Sequence, residues 1–119
     1  MNLSEREKRV ETTLQGPSFP SADQNAKYTG EWQKGFDIRE GRGVLTRANG
    51  EHYDGYFKDD KFDGKGKFVF AANDKYDRKQ YIGQFKNGHF HGYGTMVLNN
   101  SDSYKAIWDR NIVQGQGRI

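Results

Sequence analysis

Cysteine is absent from these 119 residues. That excludes disulfides and thiolate metal sites and makes an intracellular compartment the natural expectation. Aliphatic content is small as well. Hydrophobic residues reach only 33%, and no apolar stretch approaches transmembrane length. The N-terminus lacks the apolar segment of a secretory signal. Nor is the charge one-sided: the net value is +3, with acids and bases interspersed. Residues 1–27 balance Arg6, Lys8, Arg9 and Lys27 against Glu5, Glu7, Glu11 and Asp23, so the remainder carries the whole excess. Such a balance describes a solvated surface, not a strong field for nucleic acid or anionic lipid.

What the chain has instead is glycine, 15 residues of it, and 14% aromatic residues. Both fall into a motif that returns four times. Tyr28-x-Gly30-x-Trp32, Tyr53-x-Gly55-x-Phe57, Tyr81-x-Gly83-x-Phe85 and Tyr104-x-Ala106-x-Trp108 each lead to a Gly-x-Gly. Those partners are Gly41/Gly43, Gly64/Gly66, Gly92/Gly94 and Gly115/Gly117. A unit repeated this often implies a linear array of small structural units. Arrays of this kind mostly offer surface, so binding is expected before catalysis.

The period within each unit is two. Tyr28, Gly30 and Trp32 point to one face of a strand, Thr29 and Glu31 to the other; Tyr81, Gly83 and Phe85 oppose Ile82 and Gln84 in the same way. Turn residues follow at Lys34-Gly35, Asp59-Asp60, Asn87-Gly88 and Arg110-Asn111, with Asn-Gly the strongest hairpin signal among them. Second strands begin at each Gly-x-Gly. Every unit is therefore a hairpin, and the series is an all-β antiparallel meander. Glycine inside a strand costs roughly 0.5–1 kcal/mol against alanine. Its repetition predicts a close approach, with a ring from a neighbouring strand lying flat over bare backbone.

The array is expected over 28–119, in units 28–52, 53–80, 81–103 and a truncated 104–119. Tyr28, Tyr53, Tyr81 and Tyr104 stand 25, 28 and 23 residues apart. The extra length falls within Phe36–Glu40 and Ala71–Gln80, where longer loops cost little: going from about ten to fifteen residues adds about 0.4 kcal/mol. Residues 1–27 form a separate arm. Ser4 and Glu7 have capping-box spacing, which predicts a short helix over Glu5–Gln15. Gly16-Pro17-Ser18-Phe19-Pro20 then forces an extended link. Leu3, Val10, Leu14 and Phe19 are the arm's candidate anchors, and a disordered tail is the competing reading.

Catalytic and cofactor readings find little support. His89 and His91 could share a strand face, yet nothing at suggestive spacing completes a metal ligand set. The Gly-x-Gly pairs lack the helix and Lys-Ser/Thr of a phosphate loop. No enzyme, cofactor or metal site is expected. The densest basic region (Lys58, Lys61, Lys65, Lys67, Lys75, Arg78, Lys79) is interrupted by Asp59, Asp60, Asp63, Asp74 and Asp77. Membrane recruitment usually needs four to eight clustered bases, so lipid attachment would be weak and nucleic-acid binding is not expected.

The unit Phe85-Lys86-Asn87-Gly88-His89-Phe90-His91-Gly92-Tyr93-Gly94, in register with three other copies, resembles the MORN (membrane occupation and recognition nexus) repeat. The resemblance covers Tyr28 to Ile119. It implies an elongated, curved, single-layer sheet of hairpins, no enzyme activity, and a scaffold role of the kind found in cilia, flagella, axonemes and other cytoskeletal assemblies. A phosphoinositide or membrane-surface tethering role is the alternative that it carries. On this reading Tyr28, Trp32, Tyr53, Phe57, Tyr81, Phe85, Tyr104 and Trp108 line an aromatic groove for a helix or extended segment of a partner, while also packing the sheet. The short fourth unit would leave a ragged C-terminal edge suited to a second copy or a partner strand. Ala106 replaces the expected glycine in the fourth unit, so a ring should not lie as close there.

Overall fold

The structure, a computed structural model, describes residues 6–14 and 25–114. Among them there is no helix. Nine strands form one open antiparallel sheet in strict chain order: β1 (Arg6–Leu14), β2 (Ala26–Gln33), β3 (Arg39–Thr46), β4 (His52–Lys58), β5 (Lys61–Val69), β6 (Arg78–Lys86), β7 (His89–Leu98), β8 (Ser103–Asp109) and β9 (Ile112–Gln114). The body measures 45 × 29 × 21 Å. The all-β meander expected from the repeats is what the chain forms.

Turn chemistry sets the hairpins. Asp59 and Asp60, Asn87 and Gly88, and Arg110 and Asn111 all have positive φ, the pair of left-handed positions that a two-residue hairpin turn requires. The extra residues sit where the repeat spacing placed them. One set makes the turn after β2, closed by Gln33 N–H donating to the Ile38 carbonyl at 2.8 Å. The other makes the excursion between β5 and β6, where Arg78 grips Asp74 at 2.8 Å.

The arm departs from expectation. In place of a helix over 5–15, residues Arg6–Leu14 are a strand paired to β2 from Arg6↔Gln33 to Leu14↔Ala26. A helix of that length is marginal alone. The outer edge of β2, by contrast, offers a row of backbone groups that need partners, and Val10, Thr12 and Thr13 are β-branched residues that favour extended backbone. Val10 and Leu14 thus belong to the molecule's own sheet, whereas Leu3 and Phe19 lie outside the described residues. Gly115 and Gly117 of the fourth unit lie outside them too, and β9 is the last strand described.

Candidate functional site

The two faces of the sheet differ in kind. On one, the motif rings pack against each other. Tyr28 meets Trp32 edge-on with centroids 4.9 Å apart and Phe57 of the next unit at 5.1 Å. Tyr53 repeats this with Phe57 at 5.1 Å and Phe85 at 5.0 Å, and Tyr81 with Phe85 at 5.1 Å and Trp108 at 5.6 Å. Each tyrosine therefore joins its own unit to the following one. Phe62 stacks on Tyr53 at 3.9 Å and Phe90 on Tyr81 at 4.2 Å. Edge-on and stacked pairs add about 0.5–1.5 kcal/mol each beyond area burial.

Glycine makes this packing possible. Gly30, Gly43, Gly55, Gly66, Gly83 and Gly94 pair in register from β2 to β7, and Ala106 ends the row on β8. The rings of Tyr28, Tyr53 and Tyr81 lie on Gly43, Gly66 and Gly94; a Cβ on Gly66 would stand 2.5 Å from the Tyr53 hydroxyl oxygen. The flat ring is thus carried by the second glycine of the first three Gly-x-Gly pairs. The glycine between two rings admits the neighbouring strand instead, since a Cβ on Gly55 would stand 2.5 Å from the Gly66 Cα. The tyrosine hydroxyls then donate to the carbonyls three residues on: Glu31 at 2.6 Å, Tyr56 at 2.7 Å and Gln84 at 3.0 Å. Burial disfavours the phenolate, raising Tyr28 and Tyr53 well above the ordinary tyrosine range and Tyr81 to about 12.

Two positions depart from the pattern. Where later units have Phe62 and Phe90 beside the tyrosine, the first has Arg39. Its guanidinium lies 5.2 Å from the Phe57 centroid and 5.9 Å from that of Tyr28. Asp60 holds it in place, accepting from Arg39 Nε at 2.6 Å and from the Arg39 backbone N–H at 2.9 Å. Asp60 at the turn is therefore the partner of a buried arginine. In the fourth unit, beside Ala106, Tyr104 and Trp108 stand 6.0 Å apart and nearly parallel. Those rings are further apart than the corresponding pairs of the other units, at 4.9–5.1 Å.

The ring stripe is not an open groove. Tyr28, Trp32, Tyr53, Phe57, Tyr81, Phe85 and Trp108 are all buried, and only Tyr104 is half-buried. These residues serve the sheet's own packing. Open surface lies on the other face, at the alternate positions of the same strands. There Arg42, Asp54, Tyr56, Lys65, Ile82 and Tyr93 are among the residues lining a trough of about 570 Å³, floored by Gly55, Gly66 and Gly83. Tyr56, Ile82 and Tyr93 are 45%, 46% and 72% exposed. The period-two alternation assigns Ile82 to this face, but the aromatic motif draws attention to the opposite one.

The histidines do not converge. His89 Nδ1 is 2.9 Å from the Asn111 amide nitrogen, and His91 lies 3.6 Å from Asp109. Among the described residues no group of three or more His, Cys, Asp or Glu could hold a metal. No helix there is long and apolar enough to cross a membrane.

Comparison with known proteins gives a family. The MORN repeat profile matches residues 28–52, 53–75 and 81–103, more than half of the chain. Residues 76–80, between the second and third matches, cover the end of the lengthened excursion and the first residues of β6. No curated protein was found to match. Repeats of this kind are non-catalytic modules that contact proteins or membranes. On the evidence of three in-register matches over a meander of hairpins, the chain belongs to the MORN repeat family.

Proposed function

We propose that this protein is a non-catalytic scaffold that holds a segment of another protein. The observation that carries this reading is the division of labour between the two faces. The motif rings are consumed in joining one hairpin to the next, which leaves a braced single sheet whose other face is open and carries exposed Tyr56, Ile82 and Tyr93. Exposed apolar groups gathered in a trough favour a macromolecular partner. On the family resemblance the setting is a cytoskeletal assembly, with the ciliary or flagellar axoneme first among them.

The charge pattern favours protein over membrane. Around Lys58 to Lys79 the bases are interleaved with acids, and Arg78 is already bound to Asp74. Affinity purification of the full chain from its native cells at physiological salt, with mass spectrometry of what co-purifies, tests the reading. A stable set of axonemal or cytoskeletal proteins is the expected result. Recovery with membranes alone, released by high salt, would sink it in favour of a phosphoinositide tether.

A further inference from the structure

The geometry points to an acidic, extended peptide segment as the occupant of the trough, laid across strands β4 to β7 along the row of glycines. This rests on the scaffold reading and adds to it the chemistry of the partner and its place on the sheet.

The charges select the occupant. Arg42 sits at the rim with its guanidinium 2.6 Å from Asp54 and 5.7 Å from the Tyr56 ring, so its charge is matched internally. Lys65 and Lys67 are exposed, two residues apart on one strand and hence on one face. Among the described residues neither has a carboxylate within ion-pair distance. The trough therefore offers two unmatched ammonium groups between exposed Tyr56 on one side and Ile82 and Tyr93 on the other. Carboxylates on a ligand would meet the lysines, and an aromatic or branched side chain would cover the apolar groups.

Shape selects an extended chain. Three strand spacings separate β4 from β7, about 14 Å, which is the reach of about four extended residues. Alternation turns positions 55, 66 and 83 toward the ring face, so only their backbone floors the trough and a ligand backbone can lie low in it. Two unmatched bases fall short of the four to eight that hold a protein on anionic lipid.

The test uses the full chain as bait for a phage-displayed library of random twelve-residue peptides. Anisotropy measurements and amide chemical-shift mapping then follow on the enriched sequences. The expected peptides carry at least two Asp or Glu and an aromatic or branched residue, and their shifts centre on Tyr56, Lys65, Lys67, Ile82 and Tyr93. The double variant Lys65→Ala/Lys67→Ala should weaken them about tenfold, the combined weight of two exposed charge contacts. Lys58→Ala/Lys75→Ala, which removes the same charge elsewhere, should leave affinity unchanged, with melting curves confirming that both variants fold. Enriched peptides without acids, insensitivity to the Lys65/Lys67 change, or shifts confined to other surfaces would overturn the trough while leaving the scaffold reading intact. Absence of any enriched peptide overturns the trough as well. If the chain in that case binds phosphatidylcholine vesicles containing phosphatidylserine, the scaffold reading falls with it.

Discussion

Replacing Asp60 by glycine relieves a backbone strain and breaks a buried ion pair at the same time, and the two effects have opposite signs. Asp60 has a φ of 71°, a conformation that glycine adopts freely and other residues reach at a cost. Since aspartate tolerates it better than most, the relief is about 1 kcal/mol at most. Against this, the Arg39 side chain is only 2% exposed and Asp60 only 20%. Removing the carboxylate takes away the 2.6 Å contact to Nε and the 2.9 Å contact to the backbone N–H. The Arg39 Nη2 donor keeps the Asp60 main-chain carbonyl at 2.7 Å. Breaking a fully buried pair costs about 3–5 kcal/mol, and the partial exposure of Asp60 sets this case at about 3. The net is a loss of about 2 kcal/mol, equivalent to a melting point lower by roughly 10 °C in a domain of this size. Urea unfolding followed by circular dichroism measures it. The double variant Arg39→Phe/Asp60→Gly places a ring where the next units have Phe62 and Phe90, and should return stability to within about 1 kcal/mol of the parent. A single Asp60→Gly variant as stable as the parent would refute the reasoning.

Further outcomes follow from the same contacts. Gly66→Ala pushes a methyl group into the Tyr53 ring and should destabilise by about 1–3 kcal/mol. Ala106→Gly, in the same row but at its end, should cost only about 0.5–1 kcal/mol, as read by the same urea curves. Hydrogen bonds and charge from Arg78 hold the Asp74 carboxyl down at about 2. A depressed carboxylate contributes stability above its unfolded value near 4, so that contribution should vanish as pH falls from about 4 to about 2. Faster amide exchange at Tyr76 and Arg78, whose N–H groups donate to Asp74, reads the loss, and Asp74→Asn should remove this pH dependence. At the alkaline end the raised tyrosines work the other way. Burial favours their neutral form, so their contribution is complete below pH 10 and is lost as pH rises through about 12 for Tyr81. Ultraviolet phenolate absorbance from Tyr28, Tyr53 and Tyr81 should then appear together with unfolding.

Much of the fold could be read from the sequence because each unit states its own structure. Tyr-x-Gly-x-aromatic gives a strand with a ring face, Asn87-Gly88 gives a turn, and the spacing of the tyrosines placed both longer connections. The arm was misread because capping-box spacing is a local signal, whereas the competing demand, a bare edge on β2, exists only once the sheet has formed. Arg39 was invisible for the same reason: its equivalence to Phe62 and Phe90 is one of position beside a tyrosine, not of residue type. The candidate surface was missed because aromatic residues in a motif draw attention, while Lys65, Lys67, Ile82 and Tyr93 sit at alternate positions that vary from unit to unit. Burial, which decides between ring packing and ring exposure, is set by the register of neighbouring strands and not by any one strand's sequence.

The tyrosine that bridges each unit to the next meets the same kind of partner every time: Phe57 for Tyr28, Phe85 for Tyr53, Trp108 for Tyr81. A hairpin entering such a row presents one standard joint behind it and another ahead, so duplication or loss of a whole hairpin leaves both joints sound. Each such event changes the width of the sheet by two strand spacings, about 10 Å. The width of such a sheet is therefore counted in whole hairpins.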